Sequence, residues 1–314
     1  GLRLGRPQGP LLASGAVAAV AAFAIVPARV IDRDPVIDFE AAESLQEELL
    51  DGTDTTSQPG SAGDDAPPPA PDRYADAAGP PPRVAVFGDS TALLFVPGLA
   101  SWATTTGRID LSGGFTELGC GLGRGGERDR LDVGVEPVPE ICAFDAAWLE
   151  PLASAQPDIA VVEIGLWDVL GRRLPGDDAW RRVGDPVYDE YVRGEMRAAT
   201  EVLLGTADRV VWVLQPVPVP STRDPQDAVL EEMLLWNELI VDELGDHPQV
   251  GFVDLADWFE DAGEVDSVRL RPDGIHLTEG TSVEVAAWLA PAILLAADRT
   301  EVISGEDVES EPVA

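Results

Sequence analysis

Between Arg83 and Arg299, short apolar runs alternate with longer amphipathic stretches. The runs have the length of strands, are mostly β-branched and are bounded by turn residues. Because parallel strands need a helical crossover, this alternation predicts a parallel sheet with helices on both faces. We therefore predict an α/β fold, a doubly wound three-layer sandwich with a mainly parallel five-stranded sheet. The predicted strands are Val84 to Phe87, Ile109 to Leu111, Ile159 to Ile164, Val210 to Leu214 and Val250 to Val253.

The first thirty residues differ from this region. Gly9 to Val26 is uncharged and rich in Ala, Val and Leu, and Arg3 and Arg6 precede it. Its length and flanking Arg predict either a transmembrane helix or a signal peptide in residues 1–30, and both would export the remainder of the chain. A buried Ala-rich helix is the alternative.

Two acidic segments flank the predicted domain at residues 83–300. Residues 31–82 are rich in Pro, Gly and Asp and have few large apolar side chains, which predicts a disordered linker. A short acidic helix over residues 38–50 is compatible with this linker, but nothing in it indicates chemistry. Residues 301–314 are acidic without periodicity and predict a disordered tail.

The composition excludes several classes of function. The formal net charge is −36, and all 21 basic residues are Arg. Without Lys, the protein cannot form a Schiff base or complete a Lys-dependent phosphate site. So negative a chain is also a poor partner for nucleic acid. Two Cys and two His argue against a structural zinc cluster, and we predict neither a metal nor a cofactor.

A Ser follows the first predicted strand at a tight turn. The strand ends in Val86-Phe87-Gly88-Asp89-Ser90-Thr91, and a helix is predicted just after it. Gly88 permits a close turn, and Ser90 would lie where backbone N–H groups stabilise a developing oxyanion. The alternative is an ordinary helix N-cap at Asp89 or Ser90.

A second motif precedes the last predicted helix. Asp273-Gly274-Ile275-His276 contains one of the two His residues of the chain. An Asp and a His three residues apart on a loop can fold so that the carboxylate holds one imidazole nitrogen while the other faces a Ser hydroxyl. The alternative is a turn at Asp273-Gly274, with Thr278 capping the helix. The other His, His247, has no partner pattern and is predicted to lie at the surface.

A strand ending in Gly-Asp-Ser, a late Asp-x-x-His and a doubly wound sheet between them resemble the SGNH hydrolases, Ser-dependent esterases and acyltransferases with a flavodoxin-like fold. The resemblance covers roughly residues 83–300. It implies that Ser90 is the nucleophile, His276 the general base and Asp273 the carboxylate that orients His276. It also implies an oxyanion hole formed by Ser90, by a Gly after the second strand and by an Asn after the third. For the Gly, Gly113, Gly114 and Gly119 are candidates, and we favour Gly119.

The sequence departs from this family at the Asn position. Gly165-Leu166-Trp167-Asp168 follows the third strand, so Trp167 appears where Asn is usual. Losing one oxyanion donor typically costs about a hundredfold or more in rate. Trp167 is a candidate pocket residue that can line the site or donate its indole N–H, and the alternative is packing in the core.

A narrower resemblance is to the extracytoplasmic SGNH domains fused to acyltransferase-3 membrane proteins. It rests on Gly119-Cys120-Gly121, on Cys142 and Trp148, and on Gly165 to Asp168. It implies an upstream membrane domain, and the Gly at position 1 hints at a longer protein. In an exported chain the only two Cys, Cys120 and Cys142, are expected to form a disulfide that holds the Gly119 loop near Ser90.

Together these features predict a membrane-anchored, extracytoplasmic Ser enzyme. Its substrate would be an acyl ester, most simply an acetyl ester, of a cell-envelope glycan. The triad does not distinguish an esterase from an O-acyltransferase, because only the acceptor differs. The alternative is a catalytically degenerate module that binds a glycan or a partner, which the Trp at position 167 would favour.

Overall fold

A computed structural model describes residues 37–51, 74–75, 79–130, 134–219 and 227–308. Six strands of the described residues form a parallel sheet in the order β10-β9-β8-β5-β1-β2. The predicted α/β class is therefore confirmed, with six strands in this sheet instead of five. In chain order, the strands are β1 (Arg83–Gly88), β2 (Asp110–Thr116), β3 (Glu127–Arg130), β4 (Gly134–Pro137), β5 (Ile159–Glu163), β6 (Arg172–Arg173), β7 (Trp180–Arg181), β8 (Arg209–Leu214), β9 (Val250–Asp254) and β10 (Val302–Ile303).

Helices join and cover these strands. A 3-10 turn precedes the fourth helix, and a second one follows β10. Within the described ranges, the α-helices are α1 (Phe39–Asp51), α2 (Ser90–Leu93), α3 (Val96–Thr106), α4 (Phe144–Ala147), α5 (Leu149–Ala155), α6 (Pro186–Leu204), α7 (Asp227–Leu244), α8 (Leu255–Asp261) and α9 (Glu279–Asp298).

The parallel sheet separates two apolar cores. Alternate residues of each strand point to opposite faces, so Val84 and Val86 of β1 belong to one core, and Ala85 and Phe87 to the other. Helices α3, α8 and α9 complete the first core, and α4 to α7 complete the second. Because both faces are buried, the central strands are apolar throughout, which explains their uninterrupted apolar runs in the sequence.

A small antiparallel sheet in the order β4-β3-β6-β7 was not predicted. Strands β3 and β4 pair between the two Cys, where the sequence shows no strand pattern. These strands have only two to four residues and are rich in charge, so they lack the apolar alternation that identifies a strand.

The predicted linker and the predicted tail both contribute elements to the domain. Helix α1 corresponds to the short acidic helix that the sequence allows over residues 38–50 of the linker, and it buries Ala42 fully and packs Leu45 and Leu49 against the first core. Strand β10 lies within the predicted tail at residues 301–314 and pairs with β9. In both segments a few apolar side chains in acidic sequence pack on a surface that distant residues build, so local composition is misleading.

The predicted membrane or signal segment at residues 1–30 lies outside the described residues. Among the described residues, α9 is long and apolar enough to cross a membrane by length and composition. However, 67% of its apolar window is buried inside the protein. Such burial is typical of a helix that packs against the sheet of a three-layer fold.

Candidate active site

Ser90 lies just after the end of strand β1, at the carboxyl edge of the parallel sheet. Gly88 ends the strand, and a Cβ atom at this position would lie 1.9 Å from the carbonyl oxygen of Glu163, so only glycine fits. Asp89 caps α2, and its carboxylate accepts a hydrogen bond from the Thr91 N–H at 2.8 Å. This turn fixes Ser90 as the first residue of α2, with 5% of its surface exposed.

The structure brings Ser90, His276 and Asp273 together. Ser90 Oγ lies 2.8 Å from His276 Nε2, and His276 Nδ1 lies 2.6 Å from Asp273 Oδ2. The second carboxylate oxygen of Asp273 accepts hydrogen bonds from the backbone N–H groups of Ile275 and His276. The three side chains therefore form a continuous hydrogen-bonded chain.

The electrostatics of Asp273 determine where the imidazole proton lies. Burial alone would raise the pKa of Asp273, but the hydrogen bonds from the ring and backbone of His276 outweigh it and lower that pKa. The ionised carboxylate accepts the Nδ1–H of His276. Nε2 is then left as an acceptor that faces the Ser90 hydroxyl, as a general base requires.

The loop that carries His276 is held at both ends. The Gly274 N–H donates to the Arg271 carbonyl in a turn, and Thr278 caps α9 in a reciprocal pair with Thr281. The turn and the cap that the sequence also allowed are thus both present. They position the Asp273–His276 pair and are not an alternative to it.

Of the three candidate oxyanion glycines, only Gly119 lies in the loop after β2. Gly113 and Gly114 lie within β2 itself. The loop is attached to β1 because the Glu117 N–H donates to the carbonyl of Gly88, two residues before Ser90. Gly119 has a φ of 77°, a conformation that favours glycine.

Trp167 packs beside Gly119. A Cβ atom at Gly119 would lie 3.7 Å from Cζ2 of Trp167, whose ring also packs against the second core. The guanidinium of Arg128 lies 4.6 Å from the centre of that ring, donates to the carbonyl of Gly119 and pairs with Glu136 at 2.5 Å. Trp167 is thus in contact with the Gly119 loop as well as with the core.

A disulfide and hydrogen bonds to a buried carboxylate hold the chain after Gly119 in place. Cys120 and Cys142 form the predicted disulfide. Asp168 accepts hydrogen bonds from the N–H groups of Leu122 at 2.6 Å and Gly123 at 2.8 Å. Burial raises the pKa of Asp168, although these bonds and Arg172 oppose that rise.

Two residues at the site were not identified from the sequence. The ring of Phe39 in α1 meets the ring of His276 edge-on, with 5.0 Å between centroids. Glu163, the last residue of β5, is buried and lies within hydrogen-bonding distance of Thr91. A lone carboxylate ending an apolar, β-branched run is a signal that could have identified Glu163. No pattern in the sequence around Phe39 identifies it as a site residue, because its contact with His276 joins distant parts of the chain.

A mostly apolar pocket adjoins the triad loop, and Leu166, Met233, Ile275 and Leu277 are among its lining residues. In the part of the chain that the structure describes, no group of three or more His, Cys, Asp or Glu side chains is arranged to hold a metal ion.

The family model of the GDSL-like lipases and acylhydrolases matches residues 86–280, a span that begins before Ser90 and ends after His276. The chain belongs to this family. The match confirms the resemblance to SGNH hydrolases at the level of the family, but it does not extend to a fusion with an acyltransferase-3 domain. No curated protein matches the sequence.

Several solved structures are similar at low identity. An α/β hydrolase from the metagenome of Lake Arreo, Spain, is 16% identical, with a TM-score of 0.47 over 72% of this chain and 97% of its own. An acetylxylan esterase from Geobacillus stearothermophilus is 14% identical, with a TM-score of 0.43 over 65% of this chain and 90% of its own. A GDSL-like lipase from Bacteroides thetaiotaomicron VPI-5482 is 16% identical, with a TM-score of 0.46 over 82% of this chain and 98% of its own.

Proposed function

We propose that the protein is a Ser-dependent esterase or O-acyltransferase that acts on acyl esters, most simply acetyl esters, of cell-envelope glycans. The observation that carries the chemistry is the hydrogen-bonded chain from Ser90 through His276 to Asp273. A Ser hydroxyl is a weak nucleophile until a base accepts its proton, and His276 Nε2 lies at the distance that this transfer needs.

In the proposed reaction, Ser90 Oγ attacks the ester carbonyl while its proton passes to His276. The tetrahedral intermediate collapses, and the leaving alcohol takes that proton from His276, which leaves an acyl group on Ser90. Water or a sugar hydroxyl then attacks this acyl-enzyme and gives its proton to His276. The second intermediate collapses to release the product, and the proton returns to Ser90. Asp273 stabilises the imidazolium in both halves of the reaction.

We assign the oxyanion hole to the backbone N–H groups of Ser90 and Gly119. Developing negative charge is best stabilised by donors that are already fixed before the reaction. The Arg128 bond to the Gly119 carbonyl and the disulfide at Cys120 supply that fixation on one side. The N-cap bond from Thr91 to Asp89 supplies it on the other. Trp167 forms the wall beside Gly119 in this proposal.

The proposed compartment and glycan substrate rest on different observations. A structural disulfide is typical of proteins outside the reducing cytoplasm. The Arg-flanked apolar stretch in residues 1–30 is compatible with export and with a membrane anchor. We therefore propose an extracytoplasmic, membrane-anchored enzyme, in which an upstream acyltransferase-3 domain would deliver acyl groups. The acidic surface disfavours polyanionic substrates, which makes neutral glycans better candidates.

The purified full chain should react with a fluorophosphonate probe at Ser90. A Ser hydroxyl activated by a neighbouring base attacks the phosphorus of such a probe and displaces fluoride, so we expect one label per chain on the peptide that contains Ser90, and none in Ser90→Ala. Mass spectrometry of the digested protein gives the site and the stoichiometry. An unlabelled wild-type protein would argue against catalysis and favour the glycan-binding alternative.

The same preparation can separate hydrolysis from transfer. With an O-acetylated oligosaccharide, an esterase releases free acetate, whereas a transferase moves the acetyl group to an added unacetylated sugar and increases its mass. Release and transfer are both expected to disappear in Ser90→Ala. If neither product forms while the probe still labels Ser90, the glycan assignment is wrong and the triad assignment stands.

Replacing Arg128 with Met should lower kcat about tenfold with little change in KM, because small misplacements of an oxyanion donor are costly. Arg173→Met is a matched control. Arg173 belongs to the same small sheet, stacks on Trp180 and pairs with Glu127, without contacting Gly119. Steady-state kinetics on an aryl acetate test this. Equal losses of kcat in both variants would contradict a specific role for the contact between Arg128 and the Gly119 carbonyl.

A further inference from the structure

Two carboxyl groups are buried side by side directly behind the nucleophile. Asp89 and Glu163 are 0% and 1% exposed, and the Thr91 hydroxyl lies 2.5 Å from an oxygen of each. Neither carboxyl takes a step in the triad reaction. Burying a charged carboxyl is costly unless it is paired, so two ionised groups this close would be strongly unfavourable.

The hydrogen bonds around Thr91 allow the protons to be counted. Gln215 Nε2 donates to Thr91 Oγ1 at 3.0 Å. The Thr91 hydroxyl has one proton, which it can give to only one of the two carboxyl groups. The other contact at 2.5 Å then requires a carboxylic acid that donates to Thr91 Oγ1. This arrangement satisfies the hydroxyl fully, with two hydrogen bonds accepted and one donated.

We infer that Glu163 is a protonated carboxylic acid which, through Thr91, holds Asp89 as a carboxylate and positions the turn that carries Ser90. The inference deepens the proposed function and rests on it for its catalytic part. Glu163 acts here as a positioning residue, because it acts on Ser90 and His276 only through Thr91 and Asp89.

The surroundings favour this assignment of the proton. Burial raises the pKa of Asp89 to about 6, and burial together with the Asp89 charge raises that of Glu163 well above its ordinary value. The Thr91 N–H also donates to Asp89 Oδ1, which stabilises a carboxylate at Asp89 and leaves the proton of the pair on Glu163. His276, on the facing loop, favours an ionised Asp89, whereas Asp168, after β5, opposes it.

Two further elements pack against the pair. The side-chain amide of Asn237 in α7 accepts a hydrogen bond from the backbone N–H of Gln215 and donates one to its carbonyl. Arg271 lines the pocket that Thr91 and Glu163 also line, but its guanidinium donates to the carbonyls of Val217 and Val265. The pair thus keeps one negative charge, which faces His276 and complements the imidazolium that forms during catalysis.

Infrared spectroscopy in D2O can detect this acid without any turnover. At mildly alkaline pH, exposed carboxyl groups are ionised, so the carbonyl stretch of a protonated carboxylic acid should remain only for buried groups. We expect such a band in the wild-type full chain and in Ser90→Ala, and its loss in Glu163→Gln. Glu117→Gln is the matched control, because Glu117 is a half-buried carboxyl near the site with a raised pKa. That variant should keep the band.

Glu163→Gln should also change the pH dependence of stability and rate. A carboxyl whose folded-state pKa is raised contributes stability below its ordinary pKa and loses it as pH rises through the folded value. Wild-type protein should therefore lose thermal stability relative to Glu163→Gln as pH rises from mildly acidic to alkaline. The alkaline fall of kcat/KM should move to higher pH in the variant, since Gln cannot ionise.

The outcomes separate the two proposals. A wild-type band that disappears in Glu163→Gln, with the shifted alkaline limb, supports the inference. The absence of the band in wild type, its persistence in Glu163→Gln, or unchanged pH profiles would overturn it. Because the band does not depend on turnover, it would survive a failure of the esterase assignment, which labelling of Ser90 tests separately.

Discussion

Alanine at Ser90 or at His276 is expected to lower kcat/KM for an aryl acetate by about 10⁴-fold or more. Ser90 is the proposed nucleophile, and His276 Nε2, 2.8 Å from its Oγ, is the proposed acceptor of its proton. Because the two side chains act as one unit, the double variant should be no slower than either single variant. Initial rates with the purified full chain test this, and thermal unfolding shows whether each variant is folded.

His247→Ala is the matched control for this prediction. His247 lies in the turn between α7 and β9, where its Nδ1 accepts a hydrogen bond from the Gln249 N–H. Its removal should leave the rate unchanged. Wild-type turnover in His276→Ala would contradict the triad. A double variant that is slower by the product of the two single effects would show that Ser90 and His276 act independently.

The proximity of Ser90, Asp273 and His276 was predictable because each of the two motifs that contain them is local. Gly88 to Ser90 join a strand to a helix, and Asp273 and His276 are three residues apart before a capped helix. Turn chemistry and helix caps act over a few residues, so the sequence contains them directly. The parallel sheet then brings the two motifs to one edge, which alternating strands and helices also predict.

The environment of the triad was less predictable, because it depends on contacts between distant residues. Phe39 contacts His276 because α1 packs against the domain, and no periodicity in the sequence predicts this contact. The two residues of β10 pair with the edge of a sheet that forms only when the chain folds, so the strand depends on residues distant in sequence. The sequence predicts Glu163 only as part of an apolar strand, although its carboxyl is the feature that distinguishes β5.

The absence of Lys also has a structural counterpart. Arg128, Arg172 and Arg271 are each at most 3% exposed, and each donates to a backbone carbonyl in a loop near the site. Arg128 and Arg271 also stack on aromatic rings. A planar guanidinium can do both at once, whereas a Lys ammonium is a strongly hydrated point charge. Arg is thus better suited than Lys to hold these loops through buried hydrogen bonds to their backbone carbonyls.

Replacing both Cys120 and Cys142 with Ser should lower the free energy of unfolding by about 3 kcal/mol and also reduce kcat. The disulfide joins residues 22 positions apart, and its loss lets the unfolded chain regain the entropy of that loop. Gly119 precedes Cys120 directly, so its N–H should be held less firmly in the oxyanion hole. Denaturant unfolding and steady-state kinetics on an aryl acetate measure the two effects.

The size of the rate effect shows which contact holds Gly119. In the Cys-to-Ser variant, Asp168 still binds the N–H groups of Leu122 and Gly123, and Arg128 still binds the Gly119 carbonyl. We therefore expect kcat to fall about tenfold, less than the loss of an oxyanion donor would cost. Adding Arg128→Met should lower kcat by more than the product of the two single effects, because each change removes the support that remained after the other. An unchanged kcat alongside the lost stability would mean that the disulfide stabilises the fold without positioning Gly119.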